Sequence, residues 1–159
     1  MPQNKAATEA LAHQCDFCGA ETLALQEVFS FDYVRILYPR RPVIEASALV
    51  IPKRHVELVE GMNEEEMIGI LKAVNVLREI FGKLYGATAF NLFVNSGVAA
   101  GQHVPHVHFH FYGRSADEAV NPFEVLNDPK LYKDRPLVMP EDLKNRINVL
   151  RAYFKQTLE

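Results

Sequence analysis

Three histidines alternate with apolar residues in this 159-residue chain: His106, His108 and His110. Successive side chains of a β-strand point to opposite faces, so the pattern predicts a strand with all three imidazoles on one face. The intervening apolar side chains then face a hydrophobic core; they are Val107, Phe109 and Phe111. A buried apolar side holds the histidine side rigidly, as a reactive group of side chains requires.

The residues before this strand predict a second strand and a loop that can contact an anion. Residues 90–95 also alternate, with Phe90, Leu92 and Val94 on one side. The connection that follows contains two glycines, Gly97 and Gly101. Glycine permits backbone conformations that other residues resist, and it lets backbone N–H groups approach an anion closely. The whole segment therefore predicts a strand, an anion-binding loop and the histidine strand.

Residues 95–110 read Asn-x-Gly-x-x-Ala-Gly-Gln-x-Val-x-His-x-His-x-His. This pattern resembles the signature of the histidine triad (HIT) superfamily of nucleotide hydrolases and transferases. Residues 49–55, Leu-Val-Ile-Pro-Lys-Arg-His, are similar to another element of the superfamily. A bare His-x-His-x-His is also typical of metal sites, so the matching loop supplies most of the specificity. The resemblance extends from Cys15 to Arg114.

The resemblance implies a chemical role for several of these residues. A neutral imidazole is nucleophilic near neutral pH, and it can take a nucleotidyl group before passing it to water. His108 is expected to be this nucleophile, and His110 is expected to contact the phosphate oxygens. Asn95 and the loop amides around Gly101 and Gln102 are expected to hold the rest of the phosphate group. The alternative interpretation is three histidines satisfied on a solvated sheet face, and the loop match argues against it.

Two cysteines lie near the N-terminus, in the segment Cys15-Asp16-Phe17-Cys18-Gly19. Taken alone, this spacing is compatible with a metal-binding turn, with a redox pair or with neither. A redox pair normally follows a strand, and no apolar strand precedes Cys15 in the sequence.

Some HIT proteins carry a structural zinc held by an N-terminal CxxC, a histidine after the Ile-Pro-Lys-Arg element and the first triad histidine. This chain has all four residues: Cys15, Cys18, His55 and His106. Two cysteines and two histidines suit tetrahedral zinc. The resemblance therefore predicts a structural zinc that joins the N-terminal segment to the active strand, with no coordination position left for water.

Three positions depart from the HIT pattern. Ser47 occupies a position where the family usually has a histidine that supports the active site. His103 replaces the usual serine or threonine, and it is interpreted either as a phosphate contact or as a surface loop histidine. The usual ribose-binding acid has no clear counterpart, because Pro39 lies nearest to its position and Asp32 is poorly spaced.

The remaining patterns predict an α+β fold, with an antiparallel sheet of about five strands, a long helix and a C-terminal helix. Residues 28–38 and 48–51 are rich in strand formers. Asn63 and Glu66 form a capping box ahead of an apolar helical stripe that ends at Gly86.

The C-terminal part of the chain predicts a loop followed by a helix. Residues 117–136 read as a long loop, and such loops often cover active sites. Pro140 begins the amphipathic C-terminal helix. We predict a flexible N-terminus over residues 1–14 and one HIT-like domain over residues 15–159. Within this domain, residues 15–114 carry the motifs, and residues 115–159 form a C-terminal extension.

Composition limits the partners of the protein. A net charge of −3 argues against general nucleic-acid binding, which usually needs a basic protein. No uninterrupted apolar run has the length of a membrane span, and the N-terminus lacks the features of a secretory signal. With two cysteines and no such signal, a cytoplasmic location is expected. HIT proteins generally dimerise, so a homodimer is expected by resemblance.

Together these features predict a nucleotide-binding hydrolase. It would cleave nucleoside phosphoramidates or dinucleoside polyphosphates at the α-phosphate, through a nucleotidyl-His108 intermediate. A nucleotidyltransferase or dinucleoside polyphosphate phosphorylase is the nearest rival, because the acceptor leaves no trace in these residues. Two further functions stay open: a nucleotide-binding interaction protein with weak or lost activity, and a metal-dependent enzyme that uses the three triad histidines as ligands.

Overall fold

One antiparallel sheet organises the computed structural model of the chain, which describes residues 15–159. Its strands are β1 (Glu27–Ser30), β2 (Val34–Leu37), β3 (Ser47–Pro52), β4 (Ala89–Val94) and β5 (Phe109–Arg114). Their order across the sheet is β1-β2-β3-β5-β4, and every neighbouring pair is antiparallel. The predicted α+β fold with a five-stranded antiparallel sheet is confirmed. The segment predicted to be flexible, residues 1–14, lies outside the described residues.

The described part of the chain also forms five α-helices and two short 3-10 turns. The helices are α1 (Ala20–Gln26), α2 (Glu64–Tyr85), α3 (Pro122–Asn127), α4 (Pro129–Lys133) and α5 (Pro140–Leu158), and the turns are Val59–Gly61 and Val98–Ala100. Helix α2 packs on β2, β3 and β5, and α5 packs on β1 and α2. Within residues 15–159, no helix combines the length and the apolar character needed to cross a membrane.

The long helix α2 begins and ends where the sequence predicts. The Asn63 side chain accepts a hydrogen bond from the Glu66 amide at 2.8 Å, and the Glu66 carboxylate accepts one from the Asn63 amide at 3.0 Å. This reciprocal pair satisfies two amides that have no partner within the helix. Gly86 ends the helix with φ of +67°, a left-handed conformation that glycine adopts without steric cost.

The sheet has a core face and a histidine face. Phe109 and Phe111 of β5 lie in the main hydrophobic core, together with the buried side of α2. His110 is paired with Leu49 of β3 on one side and with Phe93 of β4 on the other. Directly paired residues share one face of a sheet, so these three side chains lie opposite the core. The alternation predicted for this strand is confirmed for these residues.

Strands β1, β2 and β5 are shorter than the apolar patterns of the sequence suggest. Residues 28–38 divide into β1 and β2, because the chain turns where the Phe31 amide donates to the Val34 carbonyl at 2.9 Å. Strand β5 begins only at Phe109. Before it, the Val107 amide donates to the Val56 carbonyl at 2.7 Å, outside the sheet ladder.

Residues 117–136, predicted as a long loop, contain the short helices α3 and α4. Each helix starts with a side-chain cap followed by proline. Asn121 accepts a bond from the Phe123 amide, and Asp128 accepts bonds from the amides of Lys130 and Leu131. A capping residue followed by proline is a recognisable sequence signal for a helix start. The loop prediction was wrong because it did not use this signal.

Candidate active site and metal cluster

Four side chains predicted to bind zinc come together in the structure. One ligand atom from each of Cys15, Cys18, His55 and His106 lies within 4.8 Å of the others. His106 Nδ1 lies 3.5 Å from Cys15 Sγ and 3.4 Å from Cys18 Sγ, and His55 Nδ1 lies 3.6 Å from Cys18 Sγ. Tetrahedral zinc bonds of about 2.3 Å to sulfur and about 2.0 Å to nitrogen separate such atoms by about 3.5 Å. These residues can therefore hold one metal ion.

The hydrogen bond of the His106 ring suits metal binding. His106 Nε2 lies 3.0 Å from the Pro52 carbonyl oxygen, which can only accept, so Nε2 carries the hydrogen. The lone pair of His106 is therefore on Nδ1, the atom that faces the thiols. His55 Nε2 is buried without a hydrogen-bond partner among the described residues, and Glu57 Oε1 lies 3.9 Å away.

Burial shapes the protonation of this cluster. It is the main cause that raises the pKa of Cys18 to about 12, with the neighbouring Cys15 adding to the effect. Burial also lowers the pKa of His106 to about 4, against the opposing effect of its bond to Pro52. His106 is thus neutral at pH 7, as a ligand must be, and a bound cation would favour the thiolate forms of the cysteines.

His108 follows directly and is held by the backbone. Its Nδ1 donates to the His106 carbonyl at 2.8 Å, so the unprotonated nitrogen of the neutral ring is Nε2. Burial is the main cause that lowers the pKa of His108, and the charge of His103 lowers it further. The side chain is 6% exposed. The geometry therefore leaves a neutral imidazole with a lone pair on Nε2.

His110 completes the part of the triad on the sheet. Its ring stacks on Phe93, with 4.7 Å between centroids and 10° between planes, and its centroid lies 5.0 Å from that of His108. Burial, then the nearby His108 and Arg135, lower the pKa of His110 to about 4. This ring is also neutral at pH 7, and the stacking holds its orientation.

A cavity of about 480 Å³ opens beside these two imidazoles. Its volume lies within the range of small-molecule sites. The lining includes four of the residues predicted to act on a nucleotide: Asn95, Gly101, His108 and His110. Gln102 and His103 lie outside the lining. The structure thus brings two neutral imidazoles and a side-chain amide to one space.

The predicted anion-binding loop is held by bonds within itself. Gly97 and Gly101 have φ of +92° and +86°, and the short turn between them needs this left-handed backbone. The amides of Gly101 and Gln102 donate to loop carbonyls at 2.9 Å and 3.2 Å. The Gln102 side chain accepts from the Gly97 amide and donates to the Glu57 and Val104 carbonyls. Gln102 therefore shapes the loop rather than facing the cavity.

The structure shows the contacts and positions of the residues that depart from the HIT pattern. Ser47 lines the cavity, but its hydroxyl donates to the Ile44 carbonyl and not to an imidazole. His103 is exposed at the rim, where its ring lies 6.1 Å from that of Tyr132. Asp32, in the β1–β2 turn, does not line the cavity.

Two features of the site have no counterpart in the sequence predictions. Phe17, from the CxxC segment, meets the His108 ring edge-on at 5.2 Å and the His106 ring at 6.1 Å. Tyr132 and Arg135, from the segment predicted as a loop, form the outer wall of the cavity. Contacts between residues so far apart in the chain leave no local pattern, although the helix caps of α3 and α4 were readable.

A family model described as the HIT domain matches residues 23–117 of the chain, which is more than half of its length. Among curated proteins, the chain is 28% identical over 113 residues to an asymmetrical bis(5′-nucleosyl)-tetraphosphatase of Schizosaccharomyces pombe. That match covers 71% of this chain and 55% of the relative, so the chain spans about half of that relative's length. It is also 27% identical over 134 residues to Adenylylsulfatase HINT3 of Arabidopsis thaliana, covering 82% of this chain and 68% of the relative.

Among solved structures, the fold is similar to that of a Zn-bound histidine triad family protein from Mycobacterium smegmatis. The TM-score is 0.70 and the sequence identity is 21%, over 92% of this chain and 96% of that one. This likeness concerns the fold, and the family match covers the whole triad segment. The chain therefore belongs to the HIT domain family.

Proposed function

We propose that the protein is a nucleotide hydrolase that cleaves a phosphoanhydride or phosphoramidate at the α-phosphate. The substrates would be dinucleoside polyphosphates or nucleoside phosphoramidates. The observation that carries the proposal is the bond from His108 Nδ1 to the His106 carbonyl, because it leaves the Nε2 lone pair on a residue that lines the cavity. The names of the two curated relatives support it, since both denote hydrolysis of a group attached to a nucleotide phosphate.

In the proposed reaction, the His108 Nε2 lone pair forms a bond to the α-phosphorus. The bond from phosphorus to the leaving group breaks, and its electron pair stays on the departing atom. A departing amine nitrogen also takes up a proton from solvent. Water then attacks the nucleotidyl-histidine, which releases a nucleoside monophosphate, one proton and neutral His108. Splitting one displacement into two easier steps is the benefit of a covalent intermediate. His110 and Asn95, which line the same cavity, are assigned to the phosphate oxygens.

We also propose that the metal bound by the cysteine and histidine cluster is zinc, in a structural role. The donor set and the separations near 3.5 Å support zinc over a hard cation, which would prefer oxygen ligands. Four protein ligands fill a tetrahedral site, so this ion would supply rigidity and not an activated water.

The remaining assignments are that residues 15–159 act as one HIT-like domain and that two copies form a homodimer. Strand β4 lies at an edge of the sheet, and Phe90 on it is 39% exposed. Pairing of two β4 edges would extend the sheet across the interface. A cytoplasmic location suits the cluster, because reducing conditions keep Cys15 and Cys18 available as ligands. The partners would be nucleotides and a second copy, without nucleic acid or membrane.

A nucleotidyltransferase or phosphorylase would use the same first step, with phosphate or another acceptor in place of water. A binding protein with weak activity is a second candidate. The observation that favours it is the bond of Ser47 to the Ile44 carbonyl, since no side chain at this position supports an imidazole. The reaction products distinguish a transferase or phosphorylase from the hydrolase. The absence of turnover distinguishes the binding protein.

The test is turnover of an adenylate with a good leaving group by the wild-type protein and by His108→Ala. We expect the wild-type protein to release AMP and the variant to have a turnover rate lower by about a thousandfold or more. Both proteins should still bind AMP. A label on the wild-type protein that survives alkaline quenching and is lost in acid would identify the covalent step, because a nucleotidyl-histidine is a phosphoramidate. If neither protein turns over substrate while both bind AMP, the hydrolase proposal fails and the binding protein replaces it.

A further inference from the structure

The cavity beside the triad has a cationic wall, and part of this wall lies outside the family match. Arg135 lies just after α4, beyond the matched residues 23–117, and it lines the same cavity as His108 and His110. Arg41, from the connection between β2 and β3, lines it as well. Neither guanidinium belongs to the triad segment, residues 95–110.

The charge of this cavity is one-sided. Among the described residues that line it, two are arginines and none is aspartate or glutamate, although the whole chain carries a net charge of −3. Other cavities on the described surface contain carboxylates, such as Glu118 in one and Asp142 in another. An acid-free, arginine-lined cavity selects for anions.

Arg135 is held in place by bonds that use only part of its donor set. Its Nε donates to the Tyr132 carbonyl at 2.8 Å, and its Nη1 donates to the Arg41 carbonyl at 2.7 Å. Arg41 Nη1 returns a bond to the Arg135 carbonyl at 2.7 Å. The guanidinium also lies over the Tyr132 ring, 3.9 Å from its centroid. Its position is therefore fixed by two carbonyls and one aromatic face.

The Nη2 group of Arg135 has no hydrogen-bond partner in the part of the chain that the structure describes, and no carboxylate there lies within ion-pair distance. A guanidinium that is oriented yet unpaired is suited to receive a phosphate oxygen. Its charge also reaches His110, where it is one of the causes that lower the pKa of that imidazole, after burial and His108.

We propose that Arg135 binds the phosphate oxygens of the leaving group, so that the site favours nucleotides from which an anion departs. This inference rests on the proposed function and specifies its substrate class as dinucleoside or nucleoside polyphosphates. When the His108–phosphorus bond forms and the phosphorus–oxygen bond breaks, the electron pair remains on the departing phosphate oxygen. A fixed cation stabilises that charge. An amine leaving from a phosphoramidate needs a proton instead, which arginine does not supply.

The inference is tested by comparing kcat/KM for diadenosine tetraphosphate and for adenosine 5′-phosphoramidate. Arg135→Gln should lower the value for the tetraphosphate about tenfold or more, and that for the phosphoramidate less than about threefold. Arg135→Lys, which keeps the charge but loses the planar fork, should fall between wild type and Arg135→Gln. Lys133→Gln removes one charge from α4 outside the cavity lining, and it should leave both values unchanged.

Equal losses on both substrates in Arg135→Gln, or no loss on either, would overturn the inference. Binding of ATP and AMP measured by calorimetry tests the subsite without turnover. Arg135→Gln should weaken ATP binding about tenfold or more and leave AMP binding nearly unchanged. If the wild-type protein hydrolyses neither substrate, the proposed function fails. The effect of Arg135→Gln on ATP binding compared with AMP binding still tests whether Arg135 binds the additional phosphates. Equal effects on ATP and AMP would then refute it.

Discussion

His108 Nδ1 donates a hydrogen bond to the backbone carbonyl of His106 at 2.8 Å, while the His106 side chain belongs to the metal cluster. One residue therefore contributes its imidazole to the candidate metal site and its carbonyl to the proposed nucleophile, His108. Any displacement of the His106 backbone would change the orientation of the His108 ring. Metal binding and activity are expected to be coupled through this bond, although the proposed zinc takes no part in the chemistry.

Removal of the cysteine ligands should therefore affect both stability and turnover. In Cys15→Ser/Cys18→Ser we expect the zinc content to fall from one ion per chain to none. The free energy of unfolding should fall by about 4 kcal/mol or more, as is usual when a structural metal is lost. Activity should fall at least about tenfold, because small misplacement of a catalytic group is costly. Elemental analysis, urea unfolding and AMP release measure the three effects.

Glu57→Gln is the control for this experiment, because its carboxylate lies 3.9 Å from His55 Nε2 but supplies no ligand atom to the cluster. It should keep one zinc per chain and weaken the affinity about tenfold at most, as expected for a group that only orients a ligand. A double cysteine variant with full zinc content would show that the cluster is not the metal site. So would a second metal that is lost with His108 or His110, which would favour a metal-dependent enzyme.

Phe17 provides a second contact between the CxxC segment and His108. Its ring lies 5.2 Å from that of His108, so Phe17→Ala should lower kcat/KM about tenfold while the zinc content stays at one. Leu23→Ala is the matched control. Leu23 packs in the same small cluster as Phe17, against Leu49 and its neighbours, and it is not in the cavity lining. It should reduce stability with less effect on activity, and equal losses of activity in both variants would contradict the proposed contact.

Local patterns predicted much of the fold. The alternation along β5 depends only on the period of a strand, and the capping box of Asn63 and Glu66 depends on residues three apart. The division of residues 28–38 into two strands depends on a turn at Phe31–Tyr33 that has neither glycine nor proline. Ser30 and Asp32 favour a turn there, but without glycine or proline the local signal is weak.

The site divides in the same way. The four residues of the metal cluster were predicted from family resemblance, and the structure brings them together. Gln102 and His103 were predicted to contact phosphate; the structure places one in the interior of the loop and the other at the rim, and their contact with a nucleotide remains a prediction. Arg135 was missed because its position depends on α3 and α4, whose packing no local pattern specifies.

Arg54 shows how a charge that looks like a solvated loop residue can support the fold. Its guanidinium donates to both carboxylate oxygens of Glu66 at 2.9 Å and 2.8 Å, and the Glu66 side chain is 3% exposed. Arg54→Ala would leave a buried carboxylate with only its bond from the Asn63 amide. We expect a loss of about 2 kcal/mol in the free energy of unfolding, reduced from the full cost of a broken buried pair because Arg54 itself is partly solvated.

Lys53→Ala is the matched control, since Lys53 is exposed and adjacent to Arg54. It should change the free energy of unfolding by less than about 0.5 kcal/mol. Urea unfolding at pH 7 measures both variants. Equal effects of the two substitutions would show that the bidentate pair contributes no more than an ordinary surface charge.

His110 should make the protein less stable as the pH falls below neutrality. Burial, His108 and Arg135 hold its pKa at about 4, whereas an unfolded chain has an ordinary histidine pKa of about 6.5. Above pH 6.5 both states are neutral and the group adds no pH dependence. Between about pH 6.5 and pH 4 the unfolded state binds a proton that the folded state does not, so the free energy of unfolding decreases as the pH falls. The full difference is about 3 kcal/mol.

The measurement is urea unfolding of wild type and His110→Gln at pH 7.5, 6.5, 5.5 and 4.5. His106 and His108, whose pKa values are also lowered, contribute to the slope of both proteins, so the difference between the two curves isolates His110. The variant should lose less stability than wild type on acidification, by about 1 kcal/mol for each pH unit below 6.5. Parallel curves would mean that the folded protein protonates His110 as readily as the unfolded chain does, and that this ring is not held neutral beside the nucleophile.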